Sequence, residues 1–436
     1  MFLSSLRTKA AAAIFGRPGD TLEQRNLRNI ILSGAFVGFI DGGIVVFLPV
    51  FLARLGASAA ILGLLASGPQ FINMLLYLPG GAFVERQRDL VRLVNWNVFI
   101  HRCGYLVIAA LPFLMIEADI PLAAVVIWSL ISATTSFFWP ALLVVVQRAV
   151  SPKLRPRATG GRWAAMTVVA TLLIPILGFV LDKTPFPVGY QLAFVVSFIG
   201  AMPNIYFFSR IQVAPNEHVR GSSERRPLRQ RLPAFFSPFL ESRLFVRYNL
   251  ATALFRVCLS MPAGLYTLFW VQRLRASDSW IGLRGMVGFG ALAIAYWVWG
   301  RLAHRMGHRR LLLITGTMMG LYPIATGLAQ SVEWLLPAAV IWGVSVAGVD
   351  IGLVDTLLLT SPEKRKPSFV AIGNMLASAE TFIGPLLGAA LASLIGIRTA
   401  LLVSGVLIIA SIVFFAFLPS RTEEYAIHAG QVQATL

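Results

Sequence analysis

Apolar segments of about 20 residues recur along the whole chain, and polar turns separate them. A segment of this length crosses the hydrocarbon core of a bilayer when it forms an α-helix. Charged residues make up only 13% of the chain, about half of their share in a typical soluble protein. Because the bilayer core offers no water to the backbone, such segments must satisfy their own hydrogen bonds as helices. The sequence therefore predicts an all-α integral membrane protein.

We predict twelve spans, joined mostly by short turns. The one long polar stretch inside the chain, residues 211–243, contains several arginines and prolines and predicts a linker between two groups of six spans. The two cysteines lie inside apolar spans and are interpreted as packing residues. The predicted spans cover residues 29–53, 60–83, 93–115, 122–146, 162–182, 191–209, 245–272, 280–300, 311–331, 334–357, 368–396 and 398–418.

The basic residues indicate which side of the membrane each turn faces. A net charge of +18 would suit a nucleic-acid-binding protein, but these basic residues alternate with membrane spans, so we exclude that partner. With a cytoplasmic N-terminus, about 29 Lys and Arg lie in cytoplasmic segments, as the positive-inside rule requires. Both termini are therefore predicted to be cytoplasmic. The opposite face carries only Arg54, Lys183, Arg273, Arg275 and Arg398.

Several short patterns repeat at one constant distance. Gly81 and Gly300 begin similar polar turns and are 219 positions apart. Such a match without gaps indicates two related halves, an arrangement that many secondary transporters share. The same distance joins Arg86 to Arg305, Ser58 to Ser277 and Gly63 to Gly282.

The segment Gly300–Arg310, GRLAHRMGHRR, is the clearest of these turns. Its Gly-x-x-x-x-Arg-x-Gly-x-Arg-Arg spacing resembles the signature loop of the major facilitator superfamily. The resemblance covers about residues 29–418 and implies twelve transmembrane helices in two pseudo-symmetric six-helix halves. It divides the chain into an N-terminal segment (1–28), an N-terminal half (29–210), a linker (211–243), a C-terminal half (244–418) and a cytoplasmic tail (419–436).

In that family the signature loops latch the cytoplasmic helix ends. The usual Asp of the loop is Glu85 in the first half and His304 in the second, and Glu85 has Arg148 or Arg162 as a candidate partner. The second Gly of the loop is Arg88 in the first half, which predicts a less tight turn there. The resemblance implies gating roles for Gly81, Glu85, Arg86, Gly300, Arg305, Gly307 and Arg309.

A second motif points toward one branch of the family. The run Ile383-Gly384-Pro385-Leu-Leu-Gly388 resembles the Gly-Pro motif that drug/proton antiporters carry in their fifth span. Here the fuller copy is in the eleventh span, and Pro175-x-x-Gly178, 210 positions earlier, lies in the fifth. Since Pro bends a helix and Gly lets a neighbour approach, helix packing alone also explains both copies. The fourth span lacks the Arg that proton-driven antiporters of the family usually have there.

Charges inside the spans are the candidate coupling groups. A charge near the bilayer centre costs several kcal/mol, so it needs a partner or a task. Asp41, Arg256 and Asp350 lie in spans 1, 7 and 10, which by the resemblance line one central cavity. Arg256 can neutralise only one of the two acids, so the other is a candidate proton carrier, and Glu380 is a further candidate. The alternative is that Arg256 and one acid form a static pair joining the halves.

Aromatic side chains in the same spans are candidate substrate contacts, together with Arg256. Phe138, Trp139, Trp270 and Trp342 could stack on a flat or cationic solute. Ordinary packing between helices is the alternative interpretation.

Three other titratable residues receive structural interpretations. Asp355 lies near the cytoplasmic end of the tenth span, where Lys364 or Lys366 could pair with it. His101 is interpreted as a packed neutral side chain, and Arg102 as a residue that reaches the interface or pairs with an acid.

These patterns predict a secondary active transporter that works by alternating access and is coupled to protons. Aromatics with few acids and few amides favour export of a lipophilic or cationic compound and disfavour sugars. One alternative is uptake of an organic anion through Arg256. Another is a carrier-like protein that assists pigment, lipid or complex assembly without transporting.

The sequence shows no nucleotide-binding loop, catalytic triad or metal-ligand spacing, so we predict no enzyme activity, cofactor or metal. The expected partners are a small-molecule substrate, protons and membrane lipids. The chain is expected to be a monomer in the plasma membrane, which in a bacterium is the inner membrane.

Overall fold

The computed structural model of the chain describes residues 19–214, 242–362, 366–418 and 423, without the side chains of residues 85, 304 and 366–368. Within these residues it has twelve helical segments that are long and apolar enough to cross a membrane, and it has no β-strand. The predicted fold class is therefore confirmed. Most of the predicted linker and of the two terminal segments lies outside the described residues.

The helices follow one another in twelve spans, and spans 1, 4 and 7 each contain a break between two α-helices; in span 7 a π-helical segment, Phe269–Arg273, follows the second. The N-terminal half contains α1 (Leu22–Asp41) and α2 (Ile44–Arg54) in span 1, α3 (Ala59–Glu85), α4 (Leu90–Leu114), α5 (Ile120–Ser132) and α6 (Thr135–Ala149) in span 4, α7 (Arg155–Lys183) and α8 (Val188–Ser209). The C-terminal half contains α9 (Arg243–Ser260) and α10 (Ala263–Leu268) in span 7, α11 (Asp278–Met306), α12 (His308–Leu328), α13 (Leu335–Thr360), α14 (Lys366–Ile395) and α15 (Ile397–Ser411).

The break in span 1 has a local cause. Gly42 and Gly43 separate α1 from α2, and a side chain at Gly43 would collide with Ser197 of span 6. The break frees backbone groups, and the Ile44 amide donates to the Ser197 hydroxyl over 3.0 Å. Breaks in cavity-lining spans of transporters expose backbone and side chains at mid-membrane, where solutes bind.

Two helices begin earlier than their apolar runs indicate. In α1 the first turn is closed by a capping box in which Thr21 and Gln24 satisfy each other's backbone amides, so the helix begins at Leu22 rather than at residue 29. In α7 the first turn carries Pro156, which is favoured at that position. Because the first turns of both helices are polar, the apolar pattern in the sequence does not include them.

The repeated patterns occupy equivalent places in the two halves. Ser58 and Ser277 both cap the N-terminus of the helix that follows, each accepting from the amide three residues on over 3.4 Å. This N-cap is the usual reason for a serine at such a position. The repeat therefore corresponds to the same helix cap in both halves.

The repeated glycines and prolines form close contacts between the two halves. A Cβ at Gly63 of span 2 would lie 3.0 Å from the Pro385 carbonyl of span 11. At Gly282 of span 8, its counterpart, a Cβ would lie 3.2 Å from Pro175 and 3.3 Å from Gly178 of span 5. Small residues let helix backbones approach in this way. The motifs therefore hold the halves together at two symmetry-related contacts.

The buried side chains show where the halves meet. We call the end at which α2 finishes and α11 begins the Arg54 end, and the opposite end the Gly307 end. One apolar core at the Arg54 end includes Phe51 of the N-terminal half and Phe269 of the C-terminal half. At the Gly307 end, the described residues form separate cores within each half. The described part of the molecule is therefore closed at the Arg54 end.

The two signature turns differ as their sequences predict. Gly307 alone separates α11 from α12, with a φ of 81° that favours glycine. In the first half α3 ends at Glu85 and α4 begins at Leu90. The longer connection, in which Asp89 caps α4, replaces the single-glycine turn where Arg88 stands.

A bulky side chain at the contact between the halves should destabilise the protein. We expect Gly282→Leu to lower stability by about 1–3 kcal/mol because it forces spans 5 and 8 apart. Gly290→Leu is the matched control on the same helix, since no neighbouring atom lies within 4 Å of a Cβ there. Thermal unfolding of the purified variants measures the difference. Equal melting temperatures would contradict the tight contact.

Candidate functional site

Asp41 is the last residue of α1 and lies directly before the glycine break, where it is half-buried. An acid is disfavoured at the C-terminal end of a helix, since the exposed carbonyl groups make that end negative. Its carboxylate makes no hydrogen bond or ion pair with any residue that the structure describes. A residue that opposes local stability in this way indicates a functional role.

A cavity of about 190 Å³ lies beside Asp41 inside the N-terminal half. A dry cavity of roughly 150 Å³ holds a benzene-sized molecule, so this cavity has room for one aromatic ring or a similar group. Its walls come from spans 1, 3, 4, 5 and 6. The lining includes the predicted candidates Asp41, Phe138 and Trp139 and, in addition, His101, Arg102, Arg162 and Trp163.

Two arginines place positive charge in this cavity. Arg162 is the arginine whose charge acts on Asp41, and it donates to the Ser33 hydroxyl over 3.1 Å. Arg102 donates to the Asn204 side chain over 2.8 Å, and Asn204 donates to the Ser33 carbonyl over 2.7 Å. These bonds fix both guanidinium groups across four spans. One acid therefore faces two immobilised cations.

Arg162 is a site residue that the sequence reasoning missed. The apolar pattern places it at the edge of span 5, as a partner for Glu85. Because α7 begins at Arg155, Arg162 instead lies about two turns inside the helix. Pro156 in the first turn of α7 is the sequence signal for the earlier helix start, because proline is favoured at that position.

Aromatic rings form one wall of the cavity. Phe138 stacks on Trp139 with ring centroids 5.8 Å apart, and Trp139 stacks on Trp163 of span 5 at 6.2 Å. His101 donates from Nδ1 to the Ile131 carbonyl over 2.8 Å, at the break in span 4. This bond agrees with the interpretation of His101 as a packed side chain. The stacked rings can accept a flat apolar group beside the charges.

The charged residues of the C-terminal half pair differently from the sequence hypothesis. Arg256 is buried and forms an ion pair of 3.3 Å with Glu380, and it donates to the Tyr248 hydroxyl over 2.6 Å. Tyr248 in turn donates to the Leu353 carbonyl over 2.9 Å. The expected pairing of Arg256 with Asp41 or Asp350 is therefore wrong for this conformation. In this conformation Glu380 neutralises the charge of Arg256.

Two acids of span 10 find partners on spans 8 and 9. Asp350 is exposed, and its carboxylate accepts from the Tyr296 hydroxyl of span 8 over 2.7 Å. Asp355 lies 3.4 Å from His308 at the start of α12. Of the partners expected for Asp355, Lys364 lies outside the described residues, and so does the side chain of Lys366.

The aromatic candidates Trp270 and Trp342 surround an arginine that the sequence reasoning overlooked. The Arg284 guanidinium lies 4.0 Å from the ring centroid of Trp270 and 5.9 Å from that of Trp342. Its Nη2 donates to the Tyr322 hydroxyl. Arg284 stands inside the predicted span 8, so its position alone could have identified it as an intramembrane charge.

A second missed group joins the halves at the Arg54 end. Arg54 of span 1 donates to the Asp278 carboxylate of span 8 over 2.8 Å, and Tyr190 of span 6 donates to the same oxygen over 2.6 Å. Asp182 of span 5 accepts from the amides of Asp278 and Ser279 over 2.8 and 3.0 Å. An acid at a helix N-terminus is favoured by the helix dipole. Each of these bonds joins the N-terminal half to the C-terminal half.

The predicted gating residues lie toward the Gly307 end of each half. Arg86 caps the end of α3 and is exposed, as is Arg305, whereas Arg309 is half-buried. Gly81 and Gly300 have open space around them. The Glu85 side chain lies outside the described residues, so the gating role stays a prediction.

The family model described as Major Facilitator Superfamily matches residues 30–349 and 248–434. The chain belongs to the major facilitator superfamily. It is accordingly a transporter and a multi-pass inner-membrane protein, and it is not an enzyme. Among the described residues there is no group of His, Cys, Asp or Glu suited to hold a metal.

The relatives found by sequence are drug-efflux proteins that match part of this facilitator. The multidrug resistance protein MdtG of Proteus mirabilis (strain HI4320) is 31% identical over 32% of the chain. MdtG of Dickeya zeae (strain Ech586) is 30% identical over 35% of the chain. These matches span 33% and 38% of the relatives' lengths, so the chain spans little more than a third of the curated relatives.

Solved structures agree in fold alone, because their sequence identity is low. A POT family transporter in complex with 5-aminolevulinic acid gives a TM-score of 0.70 at 13% identity, over 92% of this chain and 96% of that one. A bacterial homologue of the iron transporter ferroportin in an inward-facing state gives 0.66 at 15% identity, over 91% and 98%.

Proposed function

We propose that this facilitator exports lipophilic compounds in exchange for protons. The observation that carries the proposal is the Asp41 carboxyl group, which faces Arg162 in a cavity walled by stacked aromatic rings. The efflux proteins named above support the direction of transport.

Asp41 serves as the proton carrier in this mechanism. When the carboxyl group is ionised, Arg162 attracts it, and protonation removes that attraction. The proton and a bound ring occupy the same small space, so the arrival of one favours departure of the other. This competition is the requirement for antiport under alternating access.

The orientation follows from the positive-inside rule, which places the Gly307 end in the cytoplasm. The conformation described above would then face inward. Solute enters from the cytoplasm or the inner leaflet, and the Arg54 end opens to release it. The contacts between Gly63 and Pro385, and between Gly282 and Pro175, are the surfaces about which the halves rock.

Transport in liposomes tests the proposal. Purified protein is reconstituted, a pH gradient is imposed, and a panel of neutral, cationic and anionic aromatic solutes is offered. We expect at least one solute to move against its gradient while protons move in the opposite direction. If the movement of every solute is independent of the pH gradient and no solute elicits proton movement, the chain is a facilitator or a relative that does not transport.

A further inference from the structure

Arg284 is an intramembrane cation that makes no ion pair with any described acid. The acids of the neighbouring spans are engaged elsewhere: Glu380 contacts Arg256, Asp350 contacts Tyr296, and Asp278 contacts Arg54. An unneutralised charge inside a membrane span is costly, so a partner or a task is expected.

The donor groups around Arg284 show what kind of partner would fit. Its Nε is buried and has no hydrogen-bond acceptor, and the indole Nε1 of Trp270 beside it is buried without one as well. Its Nη2 is taken by the Tyr322 hydroxyl. Its Nη1 is neither hydrogen-bonded nor fully buried, so this nitrogen can donate to a solute. The unused polar groups of Arg284 and Trp270 are therefore all donors.

The aromatic rings orient the guanidinium without neutralising it. Trp270, Tyr322 and Trp342 approach its central carbon at 4.0, 5.7 and 5.9 Å from their ring centroids. Cation–π contacts of this kind stabilise the charge by about 1–2 kcal/mol and leave the N–H donors free. Trp342 is half-buried, so part of its ring remains accessible.

We propose that Arg284 and Trp270 form a binding subsite for the carboxylate of an aromatic or otherwise lipophilic organic acid. One carboxylate oxygen accepts from the Arg284 Nη1, and the Trp270 indole donates to the other. The proposal rests on the proposed function, because it names the solute class that the exporter carries.

The balance of charge inside the spans agrees with an acidic rather than a cationic solute. Arg102 and Arg162 outnumber Asp41 in the N-terminal cavity. In the C-terminal half Arg256 is neutralised, which leaves Arg284 as the anion-binding arginine in place of Arg256.

Binding to the purified full-length protein in nanodiscs tests the subsite without requiring transport. The probes are 2-naphthoate, its neutral amide 2-naphthamide and the cation 2-naphthylmethylammonium. We expect naphthoate to bind at least about tenfold more tightly than the amide, as hydrogen bonds between charged groups predict. Arg284→Gln should remove this preference and leave the affinity for the amide unchanged.

Arg301→Gln is the matched control, because Arg301 lies on the same helix and also stacks on a tryptophan, Trp297, at 3.5 Å. It should retain the preference. Equal affinities for naphthoate and the amide in the unmodified protein overturn the proposal, and so does an equal loss of both in Arg284→Gln. Should Arg284→Gln fail to fold, the ranking of the three probes on the unmodified protein decides. Naphthoate binding without proton-driven transport would refute the proposed function and leave the subsite intact.

Discussion

Asp41→Asn should abolish the uphill movement of solute driven by a pH gradient while leaving solute exchange measurable. The amide has the shape of the acid but cannot gain or lose a proton, so binding and rocking persist without coupling. Exchange should also lose its dependence on pH. Parallel measurement of proton flux and counterflow in liposomes detects both effects.

The acids of the C-terminal half provide the comparison. We expect Asp350→Asn to weaken solute binding without uncoupling transport, because its carboxylate is already held by Tyr296. Glu380 is engaged by Arg256, so Glu380→Gln should mainly lower stability. Asp355→Asn, which alters a contact with His308 at the Gly307 end, serves as the neutral control. Intact pH-driven accumulation in the variants of Asp41, Asp350 and Glu380 alike would refute the buried-acid mechanism.

Breaking the ion pair between Arg54 and Asp278 should open the Arg54 end. The Asp278 carboxylate is 7% exposed and accepts from both Arg54 and Tyr190, so Asp278→Asn removes charge-assisted hydrogen bonds between the halves. We expect the closed state to lose about 2 kcal/mol, which corresponds to a roughly 30-fold change in the equilibrium between closed and open states. Tyr190→Phe should act in the same direction and less strongly.

Spin labels on opposite halves measure this change. Labels at positions 117 and 331 lie in exposed turns at the Arg54 end, one in each half, after both native cysteines are replaced. Pulsed electron resonance should report a longer distance in Asp278→Asn. Asp20→Asn is the matched control, since Asp20 pairs with Arg28 within one half at 2.8 Å. Unchanged distances in Asp278→Asn would show that the apolar core alone closes this end.

The opening of the Arg54 end and the proton coupling of Asp41 should be separable in these variants. A transporter with a weakened Arg54 end should leave the inward-facing conformation more easily, so its exchange rate should change even where Asp41 is intact. Asp41→Asn should leave the label distances unaltered, because that residue lies in the cavity and not in the contact between the halves.

The sequence by itself determined the class of fold, because membrane insertion depends on local properties. Span length, apolar content and basic turns are read along one segment at a time, and a bilayer admits few alternatives to helices. The constant repeat distance of 219 residues indicates two related halves from the sequence alone. The serines it relates, Ser58 and Ser277, do cap equivalent helices. The sequence indicates Phe138, Trp139 and Asp41 as separate candidates, and the structure places all three on one cavity.

Only the tertiary structure decided which charges meet, since pairing across spans depends on helix rotation and on where each helix begins. An intramembrane charge can be counted in the sequence. The sequence predicts Arg162 at the edge of span 5, but α7 begins at Arg155, so Arg162 lies inside the helix and beside Asp41 in the cavity. Arg256 found Glu380 instead of the acids of spans 1 and 10. The contacts of Arg54 with Asp278 and of Arg284 with Trp270 join residues from different spans, and no pattern along a single span encodes such contacts.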